Sequence, residues 1–284
     1  MEKFKTYIRK LRTLLKAKTP ESVYWTKRRD EHVASLELGF RDYKYLEMVR
    51  KHCSKGYNRY KIIFFYSFPL LIQAKRIVEL GSSFTYYPET YHPRSPWEVS
   101  SSESEGLVST RIFLMASRFL NKFGVPATLT SVDIRESSLF DNAKSLLKEL
   151  DLLKYWEPVM GTDSMGWLKK QTEPIDLALV DSNHTYDQVA GELENLAPLM
   201  SSKAAIIIDD AYTLDYTPGV DWCDDETEEG RRKGSEYGAV LQFLEKHPEW
   251  VAEWVPPSIV PIALLYKKDS IFDQNIFLNK TDAK

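Results

Sequence analysis

The chain has 284 residues, of which 43% are hydrophobic and 28% are charged, and its formal net charge is -3. This length suits one large α/β domain, with or without a small appendage. The charge balance gives no overall basic character, so we expect no nucleic-acid partner. The two cysteines, Cys53 and Cys223, are too few for a disulfide framework, and they favour a cytoplasmic location.

The first 30 residues are strongly basic, with ten Lys or Arg against three Asp or Glu. Between residues 4 and 15, apolar residues recur at helical spacing. This pattern predicts an amphipathic helix that packs on the main domain or on a second subunit, or that lies on an anionic membrane surface. The apolar runs are too short for stable membrane insertion. We assign residues 1–72 to an N-terminal helical extension, as a lid or homodimer contact, and residues 73–284 to the main domain.

From residue 76 onward, short apolar strands alternate with amphipathic helices. The predicted strands cover residues 77–80, 128–132, 155–160, 176–180 and 204–208, and the predicted helices cover 106–120, 139–150 and 186–196. Such alternation predicts a parallel sheet with helices on both faces, the α/β Rossmann-like class. Residues 250–255 and 262–266 flank two prolines and predict two closing strands, which would form a hairpin.

Small or acidic residues follow each of the five predicted parallel strands, at the edge where open α/β sheets bind ligands. Residues Glu79 to Gly81 end the first strand, and a glycine lets a ligand approach the backbone. Asp133 ends the second and would bind ribose hydroxyls or cap a helix N-terminus. Asp163 with Ser164 would bind an adenine amino group or form an ordinary turn.

A second acidic group follows the fourth and fifth strands, where Asp181 would lie close to Asp209 and Asp210. Three converging carboxylates suit a hard divalent cation such as Mg²⁺ or Mn²⁺. The alternative is hydrogen bonding to loop amides and helix termini.

His184 lies three residues after Asp181. The following Thr185 and Gln188 match a capping box, which predicts a helix start at about Tyr186 and leaves His184 on the loop before it. We interpret His184 as a general base near the metal, against the alternative of a structural histidine.

Several segments carry a family resemblance. VELG at 78–81, GLVST at 106–110 and SVD at 131–133 resemble the cofactor motifs of class I S-adenosylmethionine-dependent methyltransferases. LVDSNHTY at 179–186 with IIDD at 207–210 resembles the cephalosporin hydroxylase and macrocin O-methyltransferase group, and more remotely catechol O-methyltransferase.

The resemblance implies a seven-stranded sheet whose last strand is antiparallel. It implies that S-adenosylmethionine contacts the residues Glu79, Gly81, Ser82, Ser109, Asp133, Asp163, Ser164 and Asp181. It also implies metal ligands at Asp181, Asp209 and Asp210, and it places His184 where catechol O-methyltransferase has a catalytic lysine. One departure is the long segment 82–105 before the first helix, which would be a lid or a surface insertion.

The expected function is metal-assisted O-methylation of a small-molecule hydroxyl on a sugar, a catechol-like compound or a natural-product intermediate, with Asp181 and His184 as catalytic residues. Residues 211–237 would shape the acceptor site or form a charged loop. Two alternatives are an NAD(P)-dependent oxidoreductase, which would leave the carboxylate cluster unused, and a non-catalytic S-adenosylmethionine-binding module.

Overall fold

The structure is a computed structural model, and it describes residues 56–82, 106–135, 139–183, 185–209, 211, 236–254 and 262–268. Several features of the sequence lie outside these ranges: the basic helix predicted within residues 4–15, most of the segments 82–105 and 211–237, and the side chains of His184 and Asp210.

Helices and strands alternate along the described chain. The helices are α1 (Gly56–Ile72), α2 (Gly106–Lys122), α3 (Leu139–Glu149), α4 (Ser164–Leu168), α5 (Tyr186–Leu196) and α6 (Glu236–Lys246). The strands are β1 (Arg76–Leu80), β2 (Thr128–Asp133), β3 (Trp156–Met160), β4 (Ile175–Val180), β5 (Met200–Ile208), β6 (Trp250–Trp254) and β7 (Ala263–Lys267). Every strand predicted from the sequence is present within a few residues of its expected bounds.

The strands form one seven-stranded sheet in the order β3-β2-β1-β4-β5-β7-β6. Strands β1 to β5 pair in parallel, whereas β7 is antiparallel to both β5 and β6. The predicted Rossmann-like class, the closing hairpin and the antiparallel last strand are all confirmed. Parallel β1 to β5 place their carboxyl ends along one edge, which we call the ligand edge.

Both faces of the sheet are buried, because alternate residues of each strand enter opposite cores. In β4, Leu177 and Leu179 belong to the first core, which the sheet shares with α1, α2 and α3. Ala178 and Val180 belong to the second core, on the opposite face, which the sheet shares with α4, α5 and α6. This two-sided burial explains why the strands read as continuous apolar runs.

Helix α1 is part of the first core. Its Phe65 ring stacks on Phe113 of α2 at 5.2 Å between centroids, and its residues from 65 to 72 are buried. The last part of the predicted extension therefore packs on the main domain, while the function of the extension as a lid or dimer contact stays a prediction. Among the described residues, no helix has both the length and the apolarity needed to cross a membrane.

Two local features differ from the expectations. Helix α5 starts at Tyr186 as predicted, but the Thr185 side chain makes no capping hydrogen bond, so the predicted capping box is wrong. The Gln188 side chain bonds Ser164 and Glu192 instead. Helix α6 was not predicted, because its start adjoins the polar 211–237 stretch.

Candidate functional site

Backbone hydrogen bonds continue across the ligand edge one residue beyond the strands. The Gly81 amide donates to the Val132 carbonyl at 2.9 Å, and the Asp181 amide donates to the Leu80 carbonyl at 2.9 Å. The Asp209 amide donates to the Val180 carbonyl at 3.0 Å. Gly81, Asp181 and Asp209 thus follow three adjacent strands, β1, β4 and β5, in register.

Gly81 has a φ of +89°, a conformation that strongly favours glycine. A Cβ atom at this position would lie 2.1 Å from the Asp181 carbonyl oxygen and 2.3 Å from the Ser182 Cα. The turn after β1 therefore packs directly against the backbone that leaves β4.

Asp181 and Asp209 directly follow neighbouring strands, whose axes are about 4.8 Å apart in a parallel sheet. Asp209 is fully buried and Asp181 is partly buried. Their carboxylates provide the hard oxygen donors that Mg²⁺ or Mn²⁺ prefers, so the described part of the expected metal site fits such an ion. Among the described residues, no group of three or more His, Cys, Asp or Glu forms a metal site, and the third expected ligand, Asp210, is not described.

Glu79 points into the first core, where its carboxylate accepts three hydroxyl hydrogen bonds. Ser109 donates at 2.5 Å, Thr110 at 2.6 Å and Ser131 at 2.8 Å. Trp156 donates to Ser131 at 2.9 Å. Burial raises the pKa of Glu79, and the three hydroxyl donors oppose that rise. This network ties β1, β2, β3 and the first turns of α2 together beneath the ligand edge.

Two other predicted cofactor residues, Ser82 and Ser109, are buried near the turn after β1. The Ser109 hydroxyl is engaged by Glu79. The Ser82 hydroxyl is fully buried and has no hydrogen-bond partner among the described residues. A buried hydroxyl without a partner costs free energy, and a bound polar ligand would supply one.

Asp133 ends β2 at the ligand edge, and its carboxylate accepts a hydrogen bond from the Arg135 amide at 2.8 Å. Partial burial raises the pKa of Asp133. The next residue, Ile134, is 67% exposed and is the one large hydrophobic side chain among the described residues that is exposed. The sequence did not single out Ile134, because one apolar residue in a loop carries no periodic signal.

Asp163 and Ser164 follow β3. The Asp163 side chain caps α4 by accepting from the Gly166 amide at 2.6 Å. The Ser164 hydroxyl donates to Glu192 of α5, at 2.5 Å. Both side chains therefore have partners within the protein, and their contact with an adenine amino group stays a prediction.

Family models match two overlapping parts of the chain. A methyltransferase domain family matches residues 106–211, and the rhamnosyl O-methyltransferase/CmcI family matches residues 163–260. These matches confirm the family resemblance and the enzyme class expected from the sequence, and they favour it over an oxidoreductase. A search of curated proteins gave no significant match.

Solved structures with similar folds include several methyltransferases. The SAH-bound methyltransferase PaMTH1 of Podospora anserina is 14% identical, with a TM-score of 0.51 over 86% of this chain and 97% of that one. A putative caffeoyl-CoA O-methyltransferase of Staphylococcus aureus is 15% identical, with a TM-score of 0.49 over 82% and 92% of the two chains. The O-methyltransferase TomG of Streptomyces achromogenes, solved with SAM, is 17% identical, with a TM-score of 0.47 over 74% and 80%. At these identities, the likeness to PaMTH1 supports a shared fold.

Proposed function

We propose that this S-adenosylmethionine-dependent O-methyltransferase methylates a hydroxyl of a small molecule with the help of a divalent cation. The observation that carries the proposal is the alignment of Gly81, Asp133, Asp181 and Asp209 along the ligand edge of four adjacent strands. A glycine turn and a ribose-binding carboxylate suit a nucleoside cofactor. Two further carboxylates on the adjacent strands suit a cation and its hydroxyl ligand.

On the cofactor side, we assign the ribose hydroxyls to Asp133, whose carboxylate retains acceptor capacity beside its one backbone bond. The exposed Ile134 side chain next to it offers an apolar surface for the adenine ring. The Ser82 hydroxyl is suited to bind a polar group of the cofactor's methionine moiety, since it has no hydrogen-bond partner among the described residues. Glu79, Ser109, Asp163, Ser164 and Asp181 complete the proposed cofactor site.

Glu79 lies beneath the proposed cofactor site and acts on it through its hydrogen bonds to α2. Its carboxylate holds the hydroxyls of Ser109 and Thr110, which lie in the first turns of α2. The backbone amides at a helix start bind anionic groups. We assign to Glu79 the orientation of this helix start relative to the turn after β1.

On the acceptor side, Asp181, Asp209 and Asp210 would hold the cation. A bound Mg²⁺ or Mn²⁺ lowers the pKa of a coordinated hydroxyl. We assign the role of general base to His184, which follows Asp181 by three residues. Asp181, on the strand next to Gly81, would align acceptor and methyl donor for in-line transfer.

The acceptor that we propose first is a sugar hydroxyl. The rhamnosyl O-methyltransferase family that matches residues 163–260 favours a sugar hydroxyl, and catechol-like or natural-product hydroxyls are the other candidates. Residues 211–237 follow the metal motif and are assigned to the acceptor site. The low cysteine content favours a cytoplasmic enzyme, and a homodimer through residues 1–72 is the arrangement that we propose for the extension.

The decisive experiment measures binding and transfer separately. We expect S-adenosylhomocysteine to bind in a calorimetric titration, and we expect labelled S-adenosylmethionine to methylate rhamnosides or catechols when Mg²⁺ is present. Chelation with EDTA should abolish transfer, and added Mg²⁺ should restore it. Binding of NADH without S-adenosylhomocysteine would overturn the proposal. Binding of S-adenosylhomocysteine with no methylation across both acceptor classes would instead identify a binding module.

The catalytic histidine has its own test. His184→Ala should lower turnover by about a hundredfold or more, as general-base removal commonly does, while cofactor affinity changes little. Equal losses in turnover and cofactor affinity would identify His184 as a structural residue.

A further inference from the structure

Glu192 lies in the middle of α5, fully buried against the second core. A buried carboxylate is costly unless its oxygens are hydrogen-bonded. Three side chains bond it: Ser164 at 2.5 Å, Gln188 at 2.8 Å and Ser182 at 2.9 Å. We call these four residues the Glu192 cluster.

The hydrogen atoms of the cluster can be assigned without conflict. Gln188 has two amide hydrogens, and they go to the Ser164 hydroxyl and to one Glu192 oxygen. Ser164 then donates its own hydrogen to that same Glu192 oxygen. Ser182 donates to the other oxygen. Each donor has one acceptor, so the network fixes the positions of both serines.

The two serines belong to two different loops of the ligand edge. Ser164 follows Asp163 directly, at the start of α4 after β3. Ser182 follows Asp181 directly, and its Cα lies 2.3 Å from where a Cβ of Gly81 would stand. Glu192 is therefore hydrogen-bonded to both loops. One is the loop after β3, which is assigned to adenine, and the other is the loop after β4, which is assigned to the cation.

We propose that Glu192 is a positioning residue that keeps the loops after β3 and β4 in their cofactor-binding arrangement through Ser164 and Ser182. The inference rests on the proposed function, since it assumes that these loops bind the cofactor. Burial raises the pKa of Glu192, and the donors Ser164, Gln188 and Ser182 oppose that rise.

The test compares three variants of the full chain by calorimetric titration with S-adenosylhomocysteine. Glu192→Ala removes the acceptor of all three donors, and we expect the Kd to rise about tenfold or more, equivalent to about 1.4 kcal/mol. Glu192→Gln keeps the shape and an acceptor oxygen, and Ser182 can rotate to accept from its amide. We therefore expect Glu192→Gln to restore the Kd to within about threefold of the original, since both serines keep a partner.

Glu194→Ala is the matched control on the same helix. Glu194 forms ion pairs with Lys246 at the end of α6 and with His247 just after it, and both lie outside the two loops. We expect it to leave the Kd unchanged. A residue with only a structural role would lower the melting temperature and leave the Kd of the folded protein unaltered. An unchanged Kd in Glu192→Ala at a temperature where the variant is folded would overturn the inference.

Another variant decides the question if Glu192→Ala does not fold. Ser182→Ala removes one bond to the carboxylate without removing a proposed cofactor contact, and it should raise the Kd about threefold or more. An unchanged Kd in Ser182→Ala would then overturn the inference. Failure of the unmodified chain to bind S-adenosylhomocysteine would instead refute the proposed function, so the two failures are distinguishable.

Discussion

Gly81 and Asp181 are in direct backbone contact: a Cβ atom on Gly81 would lie 2.1 Å from the Asp181 carbonyl oxygen. The turn that follows β1 and the loop that follows β4 are therefore one packed unit. In the proposed function, the first belongs to the cofactor side and the second to both the cofactor and the cation. A change at either residue is expected to affect both sides.

Gly81→Ala should destabilise the protein strongly. The positive φ costs an alanine about 1–2 kcal/mol, and the clash with Asp181 adds about 1–3 kcal/mol of overpacking. The measurement is the free energy of unfolding in urea. Gly124→Ala is the matched control, because its φ is +83° but no atom lies within 4 Å of its added Cβ. Equal losses in the two variants would show that the contact with Asp181 is unimportant.

Glu79→Gln should change how stability depends on pH. The folded pKa of Glu79 lies above its usual value of 4.5 because of burial. The unfolded chain therefore releases this proton at lower pH than the folded chain does. The stabilising contribution of Glu79 is fully present below pH 4.5 and is lost as pH rises through the folded pKa.

Glutamine has no proton to lose, so Glu79→Gln should gain stability relative to the original chain as pH rises above 4.5. The measurement is the unfolding free energy of both proteins across this range. Glu192, whose pKa is also raised, is present in both and cancels in the difference. Glu79→Ala should be less stable at every pH, because three hydroxyls lose their acceptor. Parallel pH curves for the glutamine variant and the original would refute the prediction.

Asp133→Ala should weaken adenosine binding by about 1.5–3 kcal/mol, the usual value of a hydrogen bond to a charged group. The original chain should prefer adenosine to dideoxyadenosine, because the latter lacks the ribose hydroxyls. The alanine variant should bind the two nucleosides equally, as measured by competition against S-adenosylhomocysteine. A preference that survives in the variant would place the ribose elsewhere.

Asp209→Asn should abolish stabilisation by metal. A ligand that binds the folded chain raises its stability by RT ln(1 + [L]/Kd). We expect added Mg²⁺ to raise the melting temperature of the original chain but not that of the variant. Asp141→Asn, an exposed change of the same charge on α3, should keep the Mg²⁺ response. Retention of the full response in Asp209→Asn would remove Asp209 from the metal site.

The sequence predicted the sheet well because buried parallel strands leave a simple signal. Residues 204–208 are apolar throughout, residues 77–80 are apolar except for Glu79, and each run is followed by a small or acidic residue. Short apolar runs bounded in this way, and alternating with helical patterns, predict a buried parallel sheet. Helix α6 has no comparable sequence signal. It begins at Glu236, directly after a charged stretch, and no capping motif was predicted at its start.

Long-range polar contacts were the part that could not be predicted. The Glu79 carboxylate bonds hydroxyls that are 30, 31 and 52 residues away in sequence, and no spacing rule predicts those partners. Its contact with the cofactor stays a prediction. The sequence did not single out Glu192, and two of its three hydrogen-bond partners, Ser164 and Ser182, lie outside its own helix. Sequence spacing indicates which face a residue occupies but not which distant hydroxyl meets it there.

The antiparallel direction of β7 has a consequence for redesigning selectivity. Trp254 at the end of β6 and Ala263 at the start of β7 pair with each other, and Ala263 also pairs with Ile208, just before Asp209. The two residues that anchor the connection between these strands therefore lie at the ligand edge, at the end of the sheet away from Asp133: Ala263 is next to the end of β5, and Trp254 is one strand further out. In the proposed function, grafting connections of other sequences between these two anchors would be a route to new acceptors that leaves the nucleoside half of the site unchanged.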